Sequence, residues 1–203
     1  MCSSDLAGDF AVLHASPKFP YKMWASDGWC ETGRWLQNKG LQLVLTGGPD
    51  ADERAYVGAI AAKLPGALNL AGKASLAETA CLLSQARLYI GPDTAVTHLA
   101  AAIGTPTVAL FGPTDPVKWG PWPAAQRGRQ NPWRRYGAQR AGNVLLLQGT
   151  GLCVPCMHEG CARHIESFSD CLQQMPASRI IAAAESLLKE PLMPRTQLNP
   201  HVH

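Results

Sequence analysis

Short apolar segments alternate along the chain with longer segments in which apolar residues recur at helical spacing. The short segments are rich in Val, Ile, Leu and Phe, as is typical of strands that are buried on both faces of a parallel sheet. Glycine, proline or aspartate follows most of them and marks the turn into the next element. We therefore predict strands at residues 10–14, 41–46, 68–70, 88–90, 107–111 and 144–147.

Start and stop signals delimit the helices that lie between these strands. Ser26 or Asp27 can cap the first helix, and Gly40 is expected to end it. A capping box that begins at Ser75 starts a further helix, and Gly104 is expected to end the one before the fifth strand. The predicted helices cover residues 26–39, 51–63, 75–85, 93–103 and 177–189.

Strands that alternate with helices at this spacing form right-handed βαβ units, so the predicted fold class is α/β. We expect a Rossmann-like parallel sheet with flanking helices over residues 8–189. Within it, residues 113–175 are predicted to form an irregular basic and cysteine-rich insertion. Residues 1–7 show no periodicity and are predicted to be a non-native or disordered leader, and residues 190–203, with three prolines, a frayed tail.

The composition, with 46% hydrophobic and 16% charged residues, excludes a disordered chain, which needs low hydrophobicity and high net charge. No apolar run approaches the roughly 20 residues of a transmembrane helix. No basic segment followed by an apolar segment opens the chain, so nothing indicates secretion. We therefore predict a soluble, cytoplasmic protein.

Charge is distributed unevenly, although the net value is only +3. Residues 116–158 contain no Asp or Glu, and such an unopposed basic stretch attracts phosphate groups. The alternative is a solvated loop that its arginines keep soluble. The basic residues in this stretch are Lys118, Arg127, Arg129, Arg134, Arg135 and Arg140.

The loops that follow the predicted strands carry glycine, charge or both, which is the composition of a phosphate-binding crevice. The segment 91–98, GPDTAVTH, is the densest of them. Asp93 or Thr94 stands at the cap of a helix there, and the N–H groups of Thr94, Ala95 and Val96 could bind a pyrophosphate. The alternative is that Asp93 serves only as the helix cap.

Several motifs in order resemble glycosyltransferase family 9, the ADP-heptose:lipopolysaccharide heptosyltransferases. The segments GPDTAVTH at 91–98 and GTPTVALFGPTDP at 104–116 carry the resemblance most specifically. HASPKFPYKMW at 14–24, LTGGPDADE at 45–53 and LAGKASL at 70–76 agree with it in order and spacing. The resemblance covers the chain from about residue 8 to residue 189.

The resemblance implies the GT-B architecture, in which two Rossmann-like domains enclose the active site, and it concerns only the C-terminal, donor-binding half. We expect the chain to be a fragment without the N-terminal half, where the resemblance places the general base. No catalytic residue is therefore expected in this chain. The implied function is the donor-binding part of an inverting enzyme that moves a heptose from ADP-heptose to a lipopolysaccharide core acceptor.

The resemblance also implies roles for individual residues. Lys22 would neutralise the donor phosphates, and Glu53 would hold the ribose hydroxyls. The diphosphate and the sugar would be lined by Asp93, Thr94, Ala95, Val96 and His98. The alternatives are a solvated loop lysine for Lys22, compensation of the helix dipole for Glu53 and a core histidine for His98.

Four cysteines cluster as Cys153-x2-Cys156-x4-Cys161-x9-Cys171. The first pair has the spacing that lets two thiolates reach one tetrahedral metal ion, so a structural zinc is one interpretation. A second interpretation is that the thiols are buried or loosely paired, and a third is an iron–sulfur cluster. No cofactor is expected to be required for activity.

Other functions remain open at this point. The same fold could use another nucleotide sugar, as a transferase or an epimerase, or the chain could be a non-enzymatic module that binds phosphate or an anionic surface. The expected partners are an ADP-sugar donor, a lipopolysaccharide core acceptor and, peripherally, the cytoplasmic face of the inner membrane. No nucleic-acid partner is expected, because residues 133–136, WRRY, offer only one short aromatic–basic segment.

Overall fold

A seven-stranded sheet organises the chain in the computed structural model, which describes residues 8–126, 128 and 130–190. The strand order is β3-β2-β1-β4-β5-β7-β6, and every neighbouring pair is parallel except β6 with β7. The strands are β1 (Phe10–His14), β2 (Gln42–Thr46), β3 (Leu68–Asn69), β4 (Leu88–Pro92), β5 (Thr107–Phe111), β6 (Gln139–Ala141) and β7 (Val144–Gln148).

Helices cover both faces of the sheet. One large core forms where α1, α2 and α7 cover one face, with Trp29, Ile60 and Ile180 among its buried side chains. A second core forms under α3 and α4 on the other face, around Val12 and Tyr89. The helices are α1 (Ser26–Asn38), α2 (Ala51–Ala62), α3 (Leu76–Gln85), α4 (Ala95–Ile103), α5 (Pro116–Trp119), α6 (Asp170–Gln173) and α7 (Ala177–Leu188).

The α/β fold and its parallel sheet are confirmed, and so are all six predicted strands and all five predicted helices, within a few residues at their ends. Gly40 and Gly104 follow the ends of α1 and α4 with φ of +83° and +94°, as a glycine stop requires. The capping box at Ser75 is present in full. The sequence analysis missed α5, α6 and β6, which are only three or four residues long.

The predicted cap of α1 is wrong, and of the two candidates for the cap of α4 only Thr94 is right. Neither Ser26 nor Asp27 caps α1, because Ala25 is the N-cap residue and Ser26 is already helical. Asp93 does not cap α4 either, because β4 continues to Pro92 and the helix begins at Ala95 with Thr94 as its N-cap. Polar residues at a helix start therefore located both helices, but they included the capping residue only for α4.

The segment between β5 and β7 is irregular but is anchored by side-chain hydrogen bonds. The buried Trp133 donates its indole N–H to the Pro121 carbonyl at 3.1 Å. Glu190, where the predicted tail begins, forms a two-pronged ion pair with Arg140. The predicted leader and residues 191–203 of the predicted tail lie outside the described residues.

Across the part of the chain that the structure describes, no helix has the length and apolar character needed to cross a bilayer.

Candidate nucleotide-sugar site

The sheet reverses its strand order between β1 and β4. The chain runs from β1 outward to β2 and β3 on one side, and from β4 outward to β5 on the other. Loops that leave the carboxyl ends of two such strands diverge and open a crevice, which is where open α/β sheets bind ligands. The loop after β1 carries Lys22, and the loop after β4 carries Asp93.

Lys22 and Asp93 meet across this crevice. The Lys22 Nζ atom lies 2.8 Å from Asp93 Oδ2, and His98 Nε2 lies 3.7 Å from Asp93 Oδ1. Asp93 is only 6% exposed, whereas His98 is 41% exposed. A buried carboxylate thus holds two basic side chains at the crevice, and the more exposed His98 can reach a ligand in solvent.

The position of Asp93 outside the helix explains how it reaches His98. A separation of five residues does not place two side chains on one helical face, but Asp93 belongs to the turn before α4 and His98 to its first turns. The interpretation of Asp93 as a mere cap is therefore wrong. Its two carboxylate oxygens lie within ion-pair distance of Lys22 and His98.

Opposing effects set the ionisation of Asp93. Burial raises its pKa, but the contact with His98 and the positive charge of Lys22 outweigh burial, so the pKa lies below the ordinary value of an aspartate. Asp93 is therefore a carboxylate at neutral pH. Its negative charge keeps the Lys22 ammonium at the mouth of the crevice.

The start of α4 presents backbone donors beside this ion pair. Thr94 is the N-cap residue and has no side-chain cap hydrogen bond. The N–H groups of Ala95 and Val96 fall in the first turn of the helix, where no carbonyl lies four residues earlier within the helix to accept them. Together with the helix dipole, such N–H groups suit the oxygens of a phosphate.

Buried hydroxyl groups brace the turn from behind, and the sequence analysis did not identify them. The Tyr89 hydroxyl and Thr97 Oγ1 are 2.8 Å apart, and Thr97 also donates to the Pro92 carbonyl. Both side chains are fully buried. Their position in β4 and in the first turns of α4 was a usable signal, because a polar atom buried there needs a partner.

His14 is a third residue that the sequence analysis left without a role. It ends β1, is 7% exposed and shares a hydrogen bond of 3.0 Å between its Nδ1 and Thr46 Oγ1 at the end of β2. Burial lowers the pKa of His14 to about 4, so the ring is neutral at physiological pH. It ties the carboxyl ends of two neighbouring strands together below the crevice.

Glu53 lies in the first turn of α2, after the end of β2, and not at the Lys22–Asp93 pair. Its Oε2 accepts the Gly48 N–H at 2.8 Å, which folds the carboxylate back over the glycine turn. A side chain at Gly48 would meet that same oxygen at 2.6 Å. Glu53 is therefore fixed by the turn beside the crevice, with Oε1 as its second acceptor.

A family model described as glycosyltransferase family 9 (heptosyltransferase) matches residues 4–143. That match covers more than half of the chain and contains every residue of the crevice described above. The chain belongs to glycosyltransferase family 9.

Curated relatives of this family 9 chain are lipopolysaccharide heptosyltransferases. Lipopolysaccharide heptosyltransferase 3 of Escherichia coli K12 is 34% identical over 183 residues, which are 89% of this chain and 47% of that protein. Lipopolysaccharide heptosyltransferase 1 of Pseudomonas aeruginosa is 34% identical over 116 residues, which are 57% of this chain and 32% of that protein. The chain thus spans less than half the length of these relatives.

Solved structures share the fold. The E. coli ADP-heptose lipopolysaccharide heptosyltransferase II matches with a TM-score of 0.68 at 20% identity, over 89% of this chain and 46% of that one. The E. coli heptosyltransferase WaaC with ADP matches with a TM-score of 0.65 at 23% identity, over 89% and 45%. The Rossmann-like sheet with flanking helices agrees with these GT-B heptosyltransferases.

The four clustered cysteines of this family 9 chain are free thiols that differ in their burial. Cys153 and Cys161 are exposed and Cys171 is buried. Burial, with a smaller contribution from the other three thiols, raises the pKa of Cys171 to about 12. Within the described residues, no group of three or more His, Cys, Asp or Glu side chains could hold a metal ion.

Proposed function

We propose that this chain is the donor-binding part of an inverting glycosyltransferase that moves a heptose from ADP-heptose to a lipopolysaccharide core acceptor. The observation that carries the proposal is the Lys22–Asp93–His98 cluster at the strand-order reversal of a family 9 sheet. The names of the two curated relatives described above, both lipopolysaccharide heptosyltransferases, support the sugar and the acceptor.

The proposed roles follow from the chemistry of each group. Lys22 neutralises the diphosphate as a point charge, and the N–H groups at the start of α4 donate hydrogen bonds to its oxygens. Both interactions strengthen as the diphosphate leaves with an additional negative charge, which lowers the barrier to departure. Glu53 takes the ribose through its free carboxylate oxygen, and His98 contacts the diphosphate or the sugar.

The acceptor hydroxyl must lose its proton during a single displacement, and we propose that the base lies outside this chain. Transfer itself is therefore proposed for a longer protein in which both sides of the cleft are present. Because ADP-heptose and the growing core are cytoplasmic substrates in this proposal, the reaction is placed at the cytoplasmic face of the inner membrane.

Calorimetric titration of this chain with ADP, ADP-heptose and UDP-glucose tests the donor assignment. We expect weak binding of both adenine nucleotides and at least tenfold weaker binding of UDP-glucose. Equal affinity for all three ligands would contradict the proposal, and preference for UDP-glucose would favour a transferase or epimerase that uses another nucleotide sugar.

Lys22→Gln and Lys18→Gln form a matched pair for the same titration. Lys18 is an exposed lysine of the same loop and lies over the Phe19 ring, 5.5 Å from its centre. We expect Lys22→Gln to weaken ADP binding about tenfold and Lys18→Gln to leave it unchanged, because only Lys22 lies at the crevice. Equal losses in the two variants would mean that the loop acts only through its overall charge.

A further inference from the structure

One surface of the molecule combines exposed aromatic rings with cations. It is formed by α5 with the residues just after it and by the segment that precedes β6. We refer to it as the aromatic–basic surface. Its members are Lys118, Trp119, Trp122, Arg134, Arg135 and Tyr136.

The aromatic residues of this surface are exposed to an unusual degree. Trp119 is 48% exposed, Trp122 is 40% exposed and Tyr136 is 65% exposed. By contrast, Trp24 and Trp29 are buried in the core below α1. Large amphipathic rings gathered at one exposed site, on a fold that buries such rings elsewhere, indicate a binding surface.

Hydrogen bonds hold the two segments of the surface side by side. Asn131 donates its side-chain amide to the Val117 carbonyl at 2.6 Å, and the Trp133 indole donates to the Pro121 carbonyl at 3.1 Å. Trp133 also lies directly against Gly120, where a side chain would collide with its ring. The exposed rings therefore project from a fixed base and need little ordering when they bind.

The charge of the surface is almost entirely positive. Lys118 Nζ lies 5.4 Å from the centre of the Trp119 ring, and the Arg135 guanidinium lies 5.6 Å from that of Tyr136. Asp115 contacts Arg135 at 3.6 Å, but within the described residues neither Lys118 nor Arg134 has a carboxylate at ion-pair distance. The sequence from 116 to 158 contains no acidic residue at all.

We propose that the aromatic–basic surface binds the surface of an anionic lipid bilayer. Trp and Tyr rings settle at the level of lipid headgroups, because one edge of each ring is apolar and the other carries a hydrogen-bonding group. Lysine and arginine beside them are attracted to anionic headgroups. The proposal rests on this surface alone and does not depend on the donor site.

A bilayer fits these rings better than a single-stranded nucleic acid does. Bases stack on the open faces of aromatic rings, but Lys118 and Arg135 already lie over faces of Trp119 and Tyr136. A bilayer takes up the rings by their edges and leaves the cations at the headgroups. The pairing of ring and cation that obstructs stacking therefore suits a lipid interface.

Sedimentation with vesicles of phosphatidylglycerol and phosphatidylcholine, or of phosphatidylcholine alone, tests the proposal with the full chain. We expect binding to the anionic vesicles that weakens as salt is added, because exposed charges are screened. The Lys118→Gln/Arg134→Gln variant should bind them about tenfold more weakly. The Trp119→Ser/Tyr136→Ser variant should also lose binding, and its loss should persist at low salt.

The matched control is Arg34→Gln/Lys63→Gln, which removes the same charge from exposed positions beside α1 and α2. Equal vesicle binding by this control and by the Lys118→Gln/Arg134→Gln variant would overturn the proposal. So would tighter binding to a single-stranded oligonucleotide than to anionic vesicles. Unchanged ADP affinity in the surface variants would show that a loss of vesicle binding does not come from the donor site.

Discussion

Lys22 and Asp93 lie 2.8 Å apart although one follows β1 and the other follows β4. Their contact joins the two loops that diverge at the strand-order reversal, so it holds the crevice in shape as well as supplying its charge. Asp93 is the buried partner and Lys22 the more accessible one. A negative ligand therefore meets the cation and not the carboxylate.

The first prediction concerns the charge of Asp93. Asp93→Asn keeps the size of the side chain but removes the carboxylate that holds Lys22 and His98. Because the pair is largely shielded from solvent, we expect the free energy of unfolding to fall by about 1–3 kcal/mol. Urea denaturation at pH 7 measures that fall, and calorimetry should show at least a tenfold loss of ADP affinity.

Asp50→Asn is the matched control for stability. Asp50 is the exposed N-cap residue of α2, and its side chain makes no cap hydrogen bond. Its replacement should change the free energy of unfolding by less than about 0.5 kcal/mol. An Asp93→Asn protein that is as stable as this control and binds ADP normally would refute the role of Asp93.

The second prediction uses Gly48 to move Glu53 without mutating it. A methyl group at Gly48 would lie 2.6 Å from the Glu53 carboxylate, so Gly48→Ala should displace that side chain from the turn. Only the end of a flexible side chain has to move, and we expect stability to change by less than about 1 kcal/mol. ADP affinity, measured by calorimetry, should fall severalfold.

Gly58→Ala controls for the loss of a glycine near the site. Gly58 lies within α2 and faces open space, so alanine should stabilise the helix by about 0.5–1 kcal/mol and leave ADP binding unchanged. If Gly48→Ala binds ADP as tightly as Gly58→Ala, then the position of Glu53 does not matter for the nucleotide.

The third prediction concerns the pH dependence that His14 imposes. Its pKa is about 4 in the folded chain and about 6.5 in the unfolded chain, so the unfolded state binds the extra proton between these values. The free energy of unfolding should therefore fall by at most roughly 3 kcal/mol as the pH drops from 6.5 to 4. Urea denaturation across this range measures the slope.

His14→Gln keeps a hydrogen-bonding group for Thr46 but cannot titrate. The free energy of unfolding of this variant should therefore change less with pH between pH 6.5 and 4. His158→Gln, at an exposed position, should retain the original slope. If the free energy of unfolding changes equally with pH in all three proteins, then His14 does not cause the pH dependence. Asp93 acts at lower pH, because its depressed pKa gives stability that is lost only as the pH falls below about 4.

The fourth prediction concerns the clustered cysteines. Because two of the thiols are exposed, and because within the described residues no three His, Cys, Asp or Glu side chains are grouped so as to hold a metal ion, we expect less than one zinc or iron per chain in protein purified without chelator. The melting temperature should not change when a chelator is added. Nearly one metal ion per chain, with local unfolding on chelation, would establish a metal site, because metal loss removes folding free energy.

The fold was predictable because local signals and the sheet pattern agreed. Residues 108–111 of β5 are apolar without interruption, and this continuity identifies a strand buried on both faces. The short β6 was missed because Gln139–Ala141 shows no hydrophobic periodicity. It is a strand only because it pairs with the neighbouring β7. Three-residue elements depend on their tertiary partner, which a local pattern does not contain.

The candidate site was predictable as a set of residues but not as a set of contacts. The order of motifs placed Lys22 and Asp93 in the same crevice, and the structure brings them together. The role of His14 was not predictable, because its partner Thr46 lies at the end of a neighbouring strand and is reached only after folding. The sequence suggested that Glu53 contacts a ligand, but it did not indicate that the Gly48 amide donates a hydrogen bond to this carboxylate.

The strand order also has a consequence for the time course of folding. β1 is the first strand in the chain, yet it lies in the middle of the sheet, and its partner β4 follows three helices and two strands later. Pairing over such a separation is slow, because a long loop must close before the contact forms. Lys22 and Asp93 come into contact only after β1 has paired with β4. While only β1, β2 and β3 have emerged from the ribosome, the loop after β1 is present but the loop after β4 is not. The proposed binding of ADP should therefore appear only when β1 and β4 have paired, and its rate of appearance during refolding would measure the rate of that step.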